Sequence, residues 1–406
     1  MNNIEKVTGK IRECTSCQFC SAVCPFDAIG IKLDLEGFYT PFVIEDRCVN
    51  CGICVKYCYK YAREIERTVD PGIIVSYSAV AKDAVLVEAS TSGGISTVLM
   101  RKCLELGYHV VGVAYDYESD TAVARVTSDS VSVSAFKGSK YMQAYTRDAY
   151  LDVLENNKNA KYAVFGVPCH IYPLYRHAAT IGNEDRYLFI DLFCHGCPTM
   201  KLWRKYIDSV KGELKTDRFE TVSFRSKRKG WHEYIHSFVA GNKEYVSAGA
   251  VKDPFFTIFF DNHVLNGSCY ECELRSTMEY TDIRLGDYWG AKHGLDSKGV
   301  SAVALSSQRG VNLFDEIATD VEFRSTCFED IIAAQSYALN YEFKQKARQR
   351  TLNLLDSDLD MWEIYRDYLK GYDMKMKIKR QARIAFSLLP RVLRFRCKTL
   401  YHRITT

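Results

Sequence analysis

No stretch of the 406-residue chain reaches the roughly 18 uncharged apolar residues that a membrane-crossing helix needs. The first ten residues have no apolar core, so a secretory signal is not expected. The G-x-G-x-x-G fingerprint of dinucleotide sites is absent, and so is the Walker A lysine loop. There is no low-complexity tract. What is plentiful is cysteine, with 16 residues. Disulfides on that scale would suit a small secreted domain, not a chain of this length, so a reducing, cytoplasmic setting is expected. Hydrophobic residues at 47% and charged residues at 26% describe a globular chain with room for a large core. The length suggests two or three domains. A net charge of +4 says little until its distribution is considered.

Half of the cysteines form one pattern. Cys14, Cys17, Cys20 and Cys24 stand at C-x2-C-x2-C-x3-C, followed by Pro25, and Cys48, Cys51, Cys54 and Cys58 repeat the spacing. This is the two-cluster bacterial ferredoxin pattern, in which the fourth cysteine of each run serves the other cluster. One 4Fe-4S cluster therefore takes Cys14, Cys17, Cys20 and Cys58, and the second takes Cys48, Cys51, Cys54 and Cys24. Zinc favours two separated C-x2-C pairs over such a quadruple run. Ser16 and Gly52 suit tight loops between ligands. Residues 30–44, with a turn near Gly37, read as the strand pair joining the halves. Tyr59 stands where a second proline is usual, which removes no ligand.

Beyond a charged stretch at 62–70 and the Pro71-Gly72 pair, apolar runs alternate in character. Short runs at 73–75 and 84–87 precede a helix expected over 96–106 and closed by Gly107. Strands are expected over 110–115, 162–165 and 188–193, with helices over 148–156 and 199–210. Such alternation predicts an α/β domain. Further strands are expected at 222–225 and 234–240. After residue 325 the pattern is helical, over 328–336 and 358–369, with Asp358 as the expected N-cap.

Four stretches of the middle region carry chemistry. Ser90-Thr91-Ser92-Gly93-Gly94 precedes a helix, where small residues let backbone amides approach a phosphate; a plain capped turn reads equally well. Lys137-Gly138-Ser139-Lys140-Tyr141 can hold a phosphate or the electron-rich end of a flavin ring, or lie as a solvated loop. Cys169 follows one expected strand, Cys194 and Cys197 follow another, and Cys269 and Cys272 form a second C-x2-C pair at a third loop. Strand ends on one edge of an α/β sheet are where ligands gather. The two C-x2-C pairs suit zinc, Cys169, Cys194, Cys269 and Cys272 suit a further cluster, and inert buried thiols are the plain alternative. In 281–290, Asp287 between glycine and aromatics suits a pocket wall or a helix cap.

In order, the two cluster motifs, S-T-S-G-G, G-S-K-Y at 138–141, G-V-P-C-H at 166–170, D-L-F-C-H-G at 191–196, F-R-S-K at 224–227 with Trp231, S-C-Y-E-C at 268–272 and D-I-R-L-G-D-Y-W-G at 282–290 resemble the coenzyme F-420 hydrogenase/dehydrogenase beta-subunit family, in the form with an N-terminal ferredoxin domain. The resemblance spans about residues 10–310. It implies an α+β two-cluster module (1–65) and an α/β flavin- and cluster-binding domain (70–325), to which the residue pattern adds a helical extension (326–372) and a basic tail (373–406). It implies FAD, with Ser92, Gly93, Gly94, Ser139, Lys140 and Tyr141 as contacts. It favours Cys169, Cys194, Cys269 and Cys272 as third-cluster ligands and Cys197 as a non-ligand. His170 stands where glutamine is usual.

The expected activity is that of an oxidoreductase. Single electrons from a reduced ferredoxin or similar donor reach the clusters and collect on the flavin. A small-molecule or sugar-type substrate, as in surface polysaccharide assembly, is then reduced, with His195 or His170 as proton donor or as support for its neighbouring cysteine. Two alternatives are an electron-transfer beta subunit of a larger complex and a non-enzymatic redox sensor. The tail from 375 to 406 holds ten lysines and arginines and no acidic residue. Ile384, Leu388, Val392 and Phe395 give it an apolar stripe, interrupted by Pro390. Such a segment is expected to lie on an anionic membrane face. A helix packed on the protein body is the alternative, and nucleic acid is not expected as a partner.

Overall fold

The computed structural model describes residues 3–5, 14–61, 74–155, 160–290, 293–390 and 393–394. The charged stretch at 62–70, the Pro71-Gly72 pair, Ile73 and most of the tail beyond Pro390 lie outside the described residues.

In the N-terminal module, β1 (Ile29–Leu33) and β2 (Tyr39–Val43) form the expected antiparallel pair. Gly37 turns between them at φ 84°. The cysteine loops need backbone of the same kind. Ser16, Gln18 and Gly52 all take left-handed φ, at 61°, 63° and 79°, which bends the chain back between ligands.

The body is built on one nine-stranded mixed sheet. Its strands are β3 (Val75–Ala81), β4 (Tyr108–Asp116), β5 (Thr121–Thr127), β6 (Ala144–Tyr145), β7 (Lys161–Phe165) and β8 (Tyr187–Leu192). A separate three-stranded sheet intervenes, with β9 (Thr221–Ser226), β10 (Ile235–Ala240) and β11 (Lys243–Val246). The large sheet is then completed by β12 (Ile283–Asp287), β13 (Ser301–Leu305) and β14 (Val321–Ser325). Its order is β14-β3-β13-β12-β8-β7-β4-β5-β6. β12, β8, β7 and β4 run parallel at the centre, and β13, β3 and β14 add antiparallel on one side. The central parallel strands are nearly continuous apolar runs because both faces are covered. Ile95–Glu105 and Gln308–Glu316 pack on one face, and Pro168–Ile181 and the N-terminal module on the other.

Several expected bounds shift. The run at 84–87 is a short helix, Ala84–Glu88, capped by Asp83 accepting from the Leu86 amide; the strand beside it is Val75–Ala81. The helix expected from 328 to 336 stops at Ile332. Asp358 is not the N-cap. Asp360 is, in a reciprocal capping box with Glu363, and the helix is Met361–Lys370. The helix Pro168–Ile181, which follows Cys169, was not expected. Its prolines mask it, yet Pro168 sits in the first turn, where the missing amide costs nothing.

The C-terminal region is helical, with Gln345–Leu355, Met361–Lys370 and Met374–Leu388. The first two share a core with Met200–Leu214 and Pro254–Phe260 around Trp203, Tyr206 and Phe255. The third buries no residue. Among the described residues no helix is long and apolar enough to cross a membrane.

The module is bound tightly to the body. The buried Gln18 carboxamide accepts from the Thr146 amide at 2.9 Å and donates to the Ala144 carbonyl at 3.1 Å. Asn266 Nδ2 donates to Ser16 Oγ at 3.0 Å, and Arg348 pairs with Glu36. These bonds fix the cysteines of the module against those of the body.

Candidate metal centres and the adjoining pocket

Among the N-terminal cysteines, electrostatic neighbours fall mostly within the sets that spacing assigns. Cys14 feels Cys17 and Cys58, and Cys20 feels Cys17, Cys14 and Cys58. Cys54 feels Cys24 and Cys51, and Cys24, Cys48, Cys51 and Cys54 line one pocket with Phe26 and Val49. Backbone donors already reach sulfur. The Ser16 amide donates to Cys14 Sγ and the Ala28 amide to Cys24 Sγ, both at 3.4 Å. Such bonds stabilise thiolate charge and tune a cluster. Burial, above all, pushes the Cys14 and Cys58 thiols up to about 12. Thiols in such surroundings do not ionise alone at neutral pH, so loading by metal has to displace their protons. The donor set fits two clusters.

The third group is assembled by topology. β7, β8 and β12 are parallel, so their carboxyl ends share an edge. β7 delivers Cys169 in the first turn of Pro168–Ile181, β8 delivers Cys194, and the loop before β12 brings Cys269 and Cys272. Cys169 feels Cys194, Cys272 and Cys269, in that order, and then Cys17 of the module. Cys194 feels Cys269 and Cys272, and burial pushes it up to about 12. Cys197 also lies beside Cys269 and Cys194. No group of three or more His, Cys, Asp or Glu among the described residues closes to the radius of a single ion. A cubane, each of whose irons takes one thiolate, holds its ligands further apart, and four converging sulfurs suit it.

Two arginines hold these loops. Sequence reasoning quoted Arg284 without a role and did not single out Arg275. Arg275 donates to the Cys269 carbonyl at 2.6 Å and the His195 carbonyl at 3.1 Å, with its guanidinium over the Tyr341 ring. Arg284 Nε meets Asp191 Oδ1 at 2.7 Å and its Nη2 meets Oδ2 at 2.5 Å, both side chains being fully buried. The Tyr280 hydroxyl accepts from the same guanidinium at 2.8 Å. The available signal was a charged residue inside each of two otherwise apolar strands.

The histidines are placed differently from each other. His170 is half-buried in the helix turn that begins at Pro168, and desolvation pushes it down to about 4. His195 Nε2 meets Asn262 Oδ1 at 2.7 Å, while Nδ1 meets Ser336 Oγ and the Tyr341 hydroxyl at 3.1 Å each. With both nitrogens engaged and burial pushing it down to about 4, His195 reads as support for its loop. Its ring packs on Phe259 and Phe260.

Those phenylalanines lead to the other family-like stretches, which converge. The Ser139 amide donates to Thr91 Oγ1 at 2.9 Å, and Lys227 Nζ donates to the Ser92 carbonyl at 2.7 Å. Arg225 donates to the Tyr141 hydroxyl at 3.0 Å and pairs with Asp287 at 3.1 Å. Its guanidinium lies over Tyr234, and Trp231 stacks flat on Trp289 at 4.7 Å. Asp287 ends β12 and so is a wall residue, not a helix cap. Its Oδ1 is buried with no partner among the described residues. Gly94 caps Ile95–Glu105 at φ 83°, and a Cβ on Gly93 would run into the Ala79 carbonyl. The Gly93 amide is already given to Ser301 Oγ at 3.1 Å, which favours the capped-turn reading of that loop. Lys140 turns inward, its Nζ donating to the carbonyls of Val113, Ala135, Phe136 and Lys137. It anchors the loop from beneath.

Comparison with known proteins agrees with the motifs. Residues 159–329 match the C terminus of the coenzyme F420 hydrogenase/dehydrogenase beta subunit, and residues 13–62 match a 4Fe-4S dicluster domain. A chain of the F420-reducing [NiFe] hydrogenase complex from Methanosarcina barkeri is similar in structure, with TM-score 0.44 and 17% identity over 64% of this chain and 82% of that one. So low a score carries no argument of its own. No curated protein matches the chain.

Proposed function

We propose that this chain, an electron-transfer iron–sulfur protein that belongs to the coenzyme F420 hydrogenase/dehydrogenase beta-subunit family, works as the electron-transfer subunit of a larger redox assembly. The observation that carries the reading is the contact order of its cysteines. Cys24, Cys48, Cys51 and Cys54 adjoin Cys14, Cys17, Cys20 and Cys58 through Cys54 and Cys20. That set adjoins Cys169, Cys194, Cys269 and Cys272 through Cys17. When bound, clusters supply single-electron carriers, and a flavin supplies exchange between one- and two-electron chemistry. The chain's own residues do the rest. Cys51 is exposed, with Val49 at 59% and Phe26 at 46% exposure beside it, which favours this rim as the face a partner protein approaches. The inner cysteines are half-buried and Cys54 is buried, which restricts water at the sulfurs. Arg275 and His195 fix the loops that present Cys194 and Cys269.

FAD is proposed at the converging loops. The residues fit in kind: aromatic rings at Trp289 and Tyr234, small residues at Ser92, Gly93, Gly94 and Ser139, the Tyr141 hydroxyl, and the unpartnered Asp287 Oδ1 as acceptor. Lys140 would hold the loop in shape. This pocket also supports a second reading, in which the chain reduces a small-molecule or sugar-type substrate itself, with a ferredoxin-like donor. The basic stretch from Lys375 to Arg394 is proposed to touch an anionic membrane face. The test of the main reading is an anaerobic preparation of the full chain given a chemical reductant and candidate acceptors. Reduced iron–sulfur signals with no turnover of any small molecule until partner subunits are added is the expected result. Turnover by the chain alone would favour the second reading.

A further inference from the structure

Pro25 follows the first cysteine run, but Tyr59 follows the second. Tyr59 is 3% exposed, and its hydroxyl has no hydrogen-bond partner among the described residues. Its ring is held from two sides, edge-on to Tyr172 at 5.9 Å and under Lys60 Nζ at 4.9 Å. The charges that act on the hydroxyl are those of Cys272, Cys169 and Cys269, with Glu273 last. Tyr59 packs in one buried cluster with Cys169 and Cys272, so an orphaned donor lies among residues of the third group although Tyr59 is chained to Cys58 of the neighbouring set. A buried hydroxyl left unpaired carries a desolvation penalty, which an acceptor would relieve.

We infer that the Tyr59 hydroxyl donates a hydrogen bond to sulfur of the third cysteine group, making Tyr59 a positioning residue. It sets that group's reduction potential and ties it to the ferredoxin-type module. The inference rests on the reading of Cys169, Cys194, Cys269 and Cys272 as a cluster site. The physics gives the sign. Reduction adds one negative charge to a cluster, and a donor to sulfur stabilises that charge. Loss of the donor makes the potential more negative.

The experiment is a redox titration of the anaerobic full chain followed by electron paramagnetic resonance. Cys269→Ser, which loses the third group's signal, identifies which signal belongs to it. Tyr59→Phe should lower the third potential by about 59 mV, a tenfold change for one electron, and leave the two N-terminal potentials in place. Tyr59→His restores a donor and should recover part of the shift. The Phe variant keeps the ring and removes only an unpaired group, so its folding and iron content should match the unaltered protein. A third potential unchanged in Tyr59→Phe overturns the inference, as does a shift confined to the cluster of Cys14, Cys17, Cys20 and Cys58. A Cys269→Ser protein with undiminished iron would instead overturn the third-cluster reading itself.

Discussion

The N-terminal cysteines and the third cysteine group are brought together by opposite means. The first set is local. Eight residues within 14–58 carry their geometry in their spacing and in three left-handed residues, Ser16, Gln18 and Gly52. The third group spans Cys169 to Cys272 and has no spacing to speak of. It exists because β7 and β8 run parallel and end on one edge, to which the loop before β12 brings Cys269 and Cys272. A local site tolerates changes in the body, whereas a site assembled by topology is only as sound as the strands and loops that deliver it.

The largest expected effect tests that difference directly. Cys269→Ser should remove about four of about twelve irons, one cubane of three, and leave the N-terminal signals unchanged. Cys51→Ser should do the converse. Iron and zinc analysis with electron paramagnetic resonance measures both. Iron near two clusters' worth, with one zinc per chain, would make the third group a zinc site and break the comparison.

How much was legible follows from the same distinction. The ferredoxin cysteines, the β1–β2 pair and the core strands over 162–165 and 188–193 were readable because local spacing and continuous apolar runs determine them. The convergence of Thr91 with Ser139, of Arg225 with Asp287, and of Arg284 with Asp191 was not, because each pair joins distant segments through sheet order. Lys140 looked like a ligand hand beside glycine and serine, but four backbone carbonyls claim it. Asp358 and Asp360 differ by two residues and both precede an apolar run. Only the presence of Glu363 three residues on picks Asp360.

Next in size is the Arg284–Asp191 pair, which locks β12 to β8. Arg284→Met leaves Asp191 buried without its partner, a loss of about 3–5 kcal/mol. Denaturant unfolding should show it, and the third group's iron should be lost before that of the module. The module's exposed Arg47–Asp27 pair at 3.1 Å should show no measurable change when Arg47 is replaced by alanine, because solvent screens it.

A smaller effect is expected at the proposed flavin loops. Lys140→Ala removes the donor to four carbonyls and should reduce flavin retention severalfold after gel filtration, with a stability loss of about 1–3 kcal/mol for the unsatisfied carbonyls. Lys137→Ala should do neither. Equal flavin content in the two variants would place the flavin elsewhere in the body.

The smallest effect concerns the tail, where the comparison between buried and peripheral regions is sharpest. Gln345–Leu355 and Met361–Lys370 bury Leu352, Leu355, Met361 and Ile364 in the main core. Met374–Leu388 buries nothing, and Met374, Ile378 and Leu388 are 63–72% exposed. Two contacts hold the segment to the body: Arg380 donates to the Tyr365 hydroxyl at 3.1 Å, and Arg394 pairs with Glu233 at 2.5 Å. Those contacts engage two of its basic groups, Met376 packs against the main core, and Met374, Ile378 and Leu388 are left in solvent. Apolar residues among lysines and arginines fit an anionic lipid surface, where each basic residue contributes about 1 kcal/mol at modest ionic strength. The measurement is co-sedimentation with vesicles of anionic or neutral lipid, for the full chain and for a chain ending at Gly371. Sedimentation of the full chain alone, with anionic lipid and weakened by high salt, is the expected result. Equal sedimentation of both chains, or indifference to salt, would show that this helix is a surface element of the body and has no lipid role.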